Sequence, residues 1–223
     1  MAALYSLYLL LFVVTYRTRD EARYARIFPW IKLSTSLCFI AAAILSAYGT
    51  DPALLYRMLP GFVLAASGDF LLGLATAKRD CRGREFLIGT CSFAAAHVAF
   101  YAAFTYLDRP RAADFVIPLA ITGLVILLSR NKNITLGRMK LPGYIYSYFV
   151  GLLFSKALLI FIHKDISAQT ALILTGSVLF LVSDLILMFM NFHRKPPRCL
   201  TFLNLSTYYG AMLLLGLCLY PFR

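Results

Sequence analysis

Charged residues are scarce in this chain: Asp, Glu, Lys and Arg make up 14% of its 223 residues, whereas hydrophobic residues make up 61%. Soluble globular domains carry roughly a quarter charged residues, so this composition excludes that class. The five cysteines show no CxxC spacing, and the sequence lacks an HExxH motif or a histidine cluster. We therefore expect no disulfide framework, no metal site and no cofactor.

Basic residues outnumber acidic ones, and the formal net charge is +12. The Lys and Arg residues do not line one face or arm, as they would in a nucleic-acid-binding protein, but fall in short clusters between apolar runs. They are therefore interpreted as juxtamembrane anchors. We expect the lipid bilayer as a partner and no nucleic acid.

Long apolar runs dominate the sequence instead. A helix that crosses the hydrocarbon core needs about 20 residues, and on that basis we identify eight candidate spans. Such runs predict an all-α polytopic transmembrane bundle, formed by residues 1–223 as a single domain, because barrel strands would alternate over about ten residues. The spans cover approximately residues 2–16, 30–48, 59–77, 86–107, 115–129, 143–163, 170–192 and 200–221.

The basic residues also predict an orientation. Fifteen of the 22 Lys and Arg residues fall in the loops after spans one, three, five and seven, and five fall on the opposite side. Because cytoplasmic loops are enriched in Lys and Arg, we expect the basic loops in the cytosol and both termini in the lumen or outside the cell. The expected membrane is that of the endoplasmic reticulum.

Two carboxylic acids interrupt the apolar spans. Asp69 lies in LAASGDFLLGL of span three, and Asp184 lies in LFLVSDLILMF of span seven. A charged side chain at the centre of a membrane helix costs about 2.5–3.5 kcal/mol on insertion scales, so such residues commonly have a function. Each lies eight residues from the cytosolic end of its span, which places both about 12 Å inside the helix.

The segments around the two aspartates resemble each other and are four spans apart in the same orientation. Each has a small residue before the Asp and an apolar residue, Leu or Ile and Leu after it. This similarity indicates a parallel internal repeat of four plus four helices, although the motif is short. With such a repeat, Asp69 and Asp184 would face each other across a pseudo-two-fold axis.

Other polar residues occur at a comparable depth and could line one cavity with the aspartates. They are His97 in span four, Tyr101 one turn later, and Tyr208 and Tyr209 in span eight. The alternative for each is a structural role, with the histidine hydrogen-bonded between helices and the tyrosines packed in the core.

Two lysines lie within spans. Lys32 is close to the cytosolic end of span two and by default would extend to the membrane surface as an anchor. Lys156 is deeper in span six. It would either extend to the side opposite the basic loops or reach the aspartates.

Four segments together resemble the lysoplasmalogenase-like membrane family, also called YhhN-like: SGDFLLG at 67–73, AHVAFYAAF at 96–104, TGSVLFLVSDLILMFMNF at 175–192 and STYYGAMLL at 206–214. PWIKLSTSL, which contains Lys32, is similar to an early helix of that family. The resemblance extends over essentially the whole chain in order and spacing.

The resemblance implies a membrane hydrolase that cleaves the vinyl-ether bond of lysoplasmalogens, with Asp69 and Asp184 as the catalytic pair. The substrate partner would be a lysophospholipid, and the products a fatty aldehyde and glycerophosphocholine or glycerophosphoethanolamine. The polar residues expected around the substrate are His97, Tyr101, Tyr208, Tyr209, Lys32 and Asn191.

Two other classes of function remain open from the residues alone. A small proton-coupled transporter would also use buried aspartates, a mid-membrane histidine and a helical repeat. A structural or regulatory membrane protein would pair its aspartates with Lys32 and Lys156. The sequence does not fix the headgroup preference or the oligomeric state.

Overall fold

A computed structural model describes residues 2–48, 52–80 and 82–221, and in these ranges the chain forms eight α-helices. Short 3₁₀ turns at Ala22–Tyr24 and Gly137–Met139 lie in two of the connections. The described ranges contain no strand, which confirms the predicted all-α class. The helices are α1 (Ala2–Thr18), α2 (Phe28–Ser46), α3 (Pro52–Ala77), α4 (Arg84–Phe104), α5 (Ala112–Ser129), α6 (Lys140–His163), α7 (Ala168–Phe192) and α8 (Cys199–Leu217).

Seven of these helices, α2 to α8, are long and apolar enough to cross a membrane. The first helix is apolar but has only 17 residues, so seven described helices, rather than the predicted eight, meet that criterion. Several helices begin earlier than the apolar runs predict. α3 starts at Pro52 instead of residue 59, because proline is tolerated in the first turn and a helix continues through polar residues such as Arg57.

The outer surface of the bundle is apolar, as a lipid-facing surface must be. On α5, Val116, Leu119 and Leu127 are each about 60% exposed, and α1 similarly exposes Leu9 and Leu10. Such an exposed apolar surface is much larger than a soluble monomer shows. The helices therefore belong to an integral multi-pass membrane protein.

The contacts between helices repeat after four helices. In the first half α1 contacts α2, α2 contacts α3 and α3 contacts α4; in the second half α5 contacts α6, α6 contacts α7 and α7 contacts α8. The contacts between the halves follow the same rule, since α2 packs against α8 and α6 packs against α4. This arrangement supports the parallel four-plus-four repeat that the sequence indicates.

Glycines at equivalent positions bring the paired helices together. A Cβ added to Gly61 of α3 would lie 2.8 Å from the ring of Phe100 in α4. A Cβ added to Gly176 of α7 would lie 3.0 Å from Leu215 in α8. Both glycines precede the aspartate of their helix by eight residues, so each half uses the same close approach to place its aspartate.

The pseudo-two-fold axis passes close to one aromatic pair. Phe93 of α4 and Tyr208 of α8 are separated in sequence by the same interval as Asp69 and Asp184, and are therefore equivalent positions of the two halves. Their rings meet edge to face with centroids 5.6 Å apart. Equivalent residues contact each other only next to the axis that relates them.

Candidate active site

Asp69 is held by one cation and two hydroxyl groups. Its Oδ1 lies 2.7 Å from Nζ of Lys32, and its Oδ2 accepts hydrogen bonds of 2.6 Å from Ser36 and from Tyr208. The Asp69 side chain is almost fully buried, at 1% exposure. Lys32 and Ser36 lie one turn apart on α2, and α8 supplies Tyr208. These four residues are called the Asp69 cluster below.

Asp184 is held by a histidine and a tyrosine. Its Oδ1 accepts a hydrogen bond of 2.8 Å from the Tyr146 hydroxyl of α6, and its Oδ2 lies 3.3 Å from Nε2 of His97 in α4. His97 is fully buried, and its Nδ1 lies 2.7 Å from the backbone carbonyl of Phe93. His97, Tyr146 and Asp184 are called the Asp184 cluster.

The two clusters have the same plan. Each aspartate lies eight residues before the end of its helix, since α3 ends at Ala77 and α7 ends at Phe192. Asp69 takes its partners from α2 of its own half and α8 of the other half. Asp184 correspondingly takes its partners from α6 and α4. The two clusters share this arrangement of helices. They differ in the basic side chain beside the aspartate, which is a lysine in the first cluster and a histidine in the second.

An aromatic layer separates the two carboxyl groups. The ring of Tyr208, which is bonded to Asp69, lies 5.6 Å from the ring of Phe180, and that ring lies 4.2 Å from the imidazole of His97. Among the described residues, no hydrogen bond or ion pair joins Asp69 to Asp184. The two aspartates therefore do not touch each other. Two ring–ring contacts, Tyr208 to Phe180 and Phe180 to His97, connect their clusters.

A narrow apolar cavity lies beside the Asp184 cluster. It has about 750 Å³ of empty space, counting its open mouth, and residues of α3, α4, α5, α6 and α7 line it. Asp184 and Tyr146 are among its few polar lining residues. The apolar cavity therefore has a carboxyl group in its wall.

A polar cleft of about 370 Å³ adjoins this apolar cavity on the side of the Asp69 cluster. Lys32 and Arg19 line the cleft, and Arg19 also lines a larger groove at the surface, together with Arg17 and Arg198. The cleft and the apolar cavity share three wall residues. They are Leu72, Phe86 and Leu187.

A third ionic group lies at the opposite end of the bundle. The fully buried Lys156 has its Nζ 3.3 Å from Asp108, 3.4 Å from Asp114 and 2.8 Å from the carbonyl of Arg109. In the loop between α4 and α5, hydrogen bonds from Arg111, assisted by Lys156, lower the pKa of Asp108. These residues, Lys156, Asp108, Asp114 and Arg111, are called the Asp114 cluster, which joins α6 to the start of α5.

Two expectations about these residues were wrong, and one open alternative is decided. Lys32 does not extend to the membrane surface as an anchor, because Asp69 offers its ammonium group a closer partner inside the bundle. For Lys156 the first of the two alternatives holds, since it lies toward the side opposite the basic loops and does not reach Asp69 or Asp184. The Tyr101 hydroxyl lies 3.3 Å from Asp114, so Tyr101 belongs to the Asp114 cluster instead of a cavity shared with the aspartates.

Tyr209 and Asn191, the two other residues expected around the substrate, lie in different parts of the bundle. Tyr209 is buried among aromatic rings, with Tyr208 at 5.0 Å and Tyr8 at 6.0 Å between centroids. Asn191 lines the polar cleft near Lys32, and its side chain donates to the carbonyl of Leu187.

Sequence reasoning missed two partners of the aspartates. Ser36 lies four residues after Lys32, so the helical period alone would have placed both on one face of α2. Tyr146 is one of three tyrosines in the segment GYIYSYF, and the sequence does not distinguish which of them faces inward.

Fold and site thus define a polytopic α-helical membrane protein with one carboxyl site in each half of the bundle. The chain belongs to the YhhN family, whose model matches residues 27–219. No match was found among curated proteins, and none among solved structures.

Proposed function

We propose that this protein is a hydrolase of the lysoplasmalogenase type. It cleaves the vinyl-ether bond of a lysophospholipid and releases a fatty aldehyde and glycerophosphocholine or glycerophosphoethanolamine. The YhhN family includes lysoplasmalogenase. The observation that carries the proposal is the placement of Asp69 and Asp184 at one depth inside the bundle, each contacted by polar side chains from both halves.

Acid catalysis by a buried carboxyl group suits this bond. A vinyl ether is hydrolysed through slow protonation of the carbon β to the oxygen, which gives an oxocarbenium ion. Water then adds to give a hemiacetal, which breaks down to the aldehyde and the alcohol. A protonated acid and a negative charge near the developing cation are the two requirements, as in glycoside hydrolysis.

The two neighbouring cavities suit the two parts of a lysolipid. The hydrocarbon chain would occupy the apolar cavity, and the phosphate would lie toward the polar cleft and its surface groove. The vinyl-ether carbons adjoin the glycerol, so they would lie near the shared wall of Leu72, Phe86 and Leu187. On this proposal the basic loops face the cytosol, and the lysolipid enters from that leaflet of the endoplasmic reticulum membrane.

The test is turnover by purified protein in detergent micelles. We expect aldehyde release from a lysoplasmalogen and none from an ester-linked lysolipid with the same chain and headgroup. A hydrolase needs no gradient, whereas a transporter would produce no chemical change in micelles. Absence of aldehyde from folded protein, across both headgroups, would contradict the proposed activity.

Arg19 should contribute to binding of the substrate phosphate. Its side chain is 15% exposed and lines both the polar cleft and the surface groove. Because a charge-assisted hydrogen bond is worth 1.4 kcal/mol or more, Arg19→Gln is expected to raise KM about tenfold, with a smaller change in kcat. Steady-state kinetics on micellar lysoplasmalogen measures both constants.

Arg17 provides the matched control, because it lines the surface groove but not the polar cleft. Arg17→Gln removes the same charge and should change KM by less than about twofold. Equal effects of the two substitutions would show that general surface charge, and not a site at Arg19, attracts the substrate.

A further inference from the structure

We infer that His97 and Asp184 together hold the proton that is delivered to the substrate, and that Asp69 remains an anion throughout the reaction. This assignment rests on the proposed function. It gives the two equivalent aspartates different roles: Asp184 is the catalytic acid, and Asp69 is a positioning residue.

A backbone contact fixes the tautomer of His97. Its Nδ1 is 2.7 Å from the carbonyl oxygen of Phe93, which can only accept a hydrogen bond, so Nδ1 carries a hydrogen. A neutral imidazole has one N–H group, which leaves a lone pair on Nε2. This nitrogen lies 3.3 Å from Oδ2 of Asp184, and both atoms are buried without a hydrogen-bond partner among the described residues.

Two unprotonated acceptors would repel each other in this buried position. A single additional proton removes the conflict, whether it resides on the carboxyl oxygen or on Nε2. The His97–Asp184 pair is therefore a site with one proton to give. Tyr146 fixes the other carboxyl oxygen by donating to Oδ1.

Asp69 has the opposite environment. Its Oδ1 faces the Lys32 ammonium at 2.7 Å, and its Oδ2 accepts from two hydroxyl groups at 2.6 Å each. The ammonium group can only donate hydrogen bonds and balances the negative charge, so an ionised Asp69 satisfies the lysine and can accept from both hydroxyl groups at the same time. Neither the apolar cavity nor the polar cleft includes Asp69 in its lining, whereas Asp184 lines the apolar cavity.

The reaction then needs one acid–base unit and one water molecule. The shared proton passes to the β carbon of the vinyl ether as the π electrons form the new C–H bond, leaving Asp184 as a carboxylate beside the oxocarbenium ion. Water adds to the α carbon, and one of its protons returns to the His97–Asp184 pair. The hemiacetal then loses its hydroxyl proton, its C–O bond to glycerol breaks, and the glycerol oxygen takes up a proton.

Lys32 and Asp69 can be neutralised together to test the different roles. Lys32→Met combined with Asp69→Asn removes both charges and keeps the amide oxygen as an acceptor for Ser36 and Tyr208. We expect this double variant to keep at least a tenth of wild-type kcat, although Asp69→Asn alone leaves an unpaired lysine and loses most activity. A folded double variant as inactive as Asp184→Asn would overturn the assignment.

His97→Gln keeps a polar group opposite Asp184 but cannot share a proton. We expect kcat to fall about 100-fold with KM within twofold of wild type. An unchanged kcat would exclude a part for His97 in proton transfer.

A measurement independent of turnover uses ¹⁵N NMR of protein labelled at its 3 histidines, with the His97 signals assigned from His97→Gln. We expect a protonated Nδ1, and an Nε2 whose signal changes in Asp184→Asn but not in the Lys32→Met, Asp69→Asn variant. An unprotonated Nδ1 would contradict the tautomer on which the inference depends. If wild-type protein releases no aldehyde, the proposed function fails, and the NMR result still decides whether the pair holds a proton.

Discussion

Asp184→Asn is expected to lower the rate of aldehyde release by about 10²- to 10⁴-fold, the usual contribution of a general acid. The amide keeps the size of the side chain and can still accept from Tyr146, but it has no acidic proton for the substrate. The measurement is kcat on micellar lysoplasmalogen, with thermal unfolding recorded in parallel. We expect little change in unfolding temperature, because no lysine or arginine is left without its partner.

Asp165→Asn is the matched control for this substitution. Asp165 lies in the exposed connection between α6 and α7, outside both cavities, so its replacement should leave kcat unchanged. Substantial turnover by Asp184→Asn would contradict acid catalysis at this position, even if the control behaves as expected.

Lys156→Met is expected to destabilise the protein strongly, by about 3–5 kcal/mol in the free energy of unfolding. Lys156 is fully buried and is the ammonium partner of Asp114, whose side chain is also fully buried. Removing the lysine leaves that carboxylate without its cation in a medium of low dielectric constant. The free energy of unfolding can be measured by denaturant titration in mixed micelles.

Two further variants make this experiment specific. Lys164→Met removes an exposed lysine directly after the same helix and should change stability by less than about 0.5 kcal/mol. Adding Asp114→Asn to Lys156→Met removes the orphaned charge and should restore part of the loss. If Lys156→Met alone has no effect, the Asp114 cluster does not stabilise the fold.

Most of the architecture could be predicted from the sequence, because the bilayer imposes simple rules. Long apolar runs had to be helices, and the ends of α3 and α7 at Ala77 and Phe192 coincide with the predicted ends of spans three and seven. The common depth of the two aspartates followed from those ends. The repeat was visible only as a short motif around Asp69 and Asp184, and the helix contacts extend it to the whole bundle.

The partners of the aspartates could not be predicted in the same way. Depth along a helix follows from counting residues, but the direction of a side chain around the helix depends on which helices pack together. Lys32 is close enough to the end of α2 to reach either the membrane surface or Asp69, and only the packing of α2 against α3 decides between them. Tyr101 fails as a prediction for the same reason, since α4 turns its hydroxyl toward Asp114 instead of Asp184.

Asp69 takes its partners from α2 and α8, and Asp184 takes its partners from α6 and α4. This arrangement determines how the two carboxyl sites can change. A four-helix half contains one aspartate but only some of the groups that surround it, so neither half can assemble a complete site by itself. Each half therefore needs the other half to complete its site. Substitutions on α2 nevertheless reach Asp69 and leave Asp184 untouched, so the two sites can carry different partners, a lysine at one and a histidine at the other.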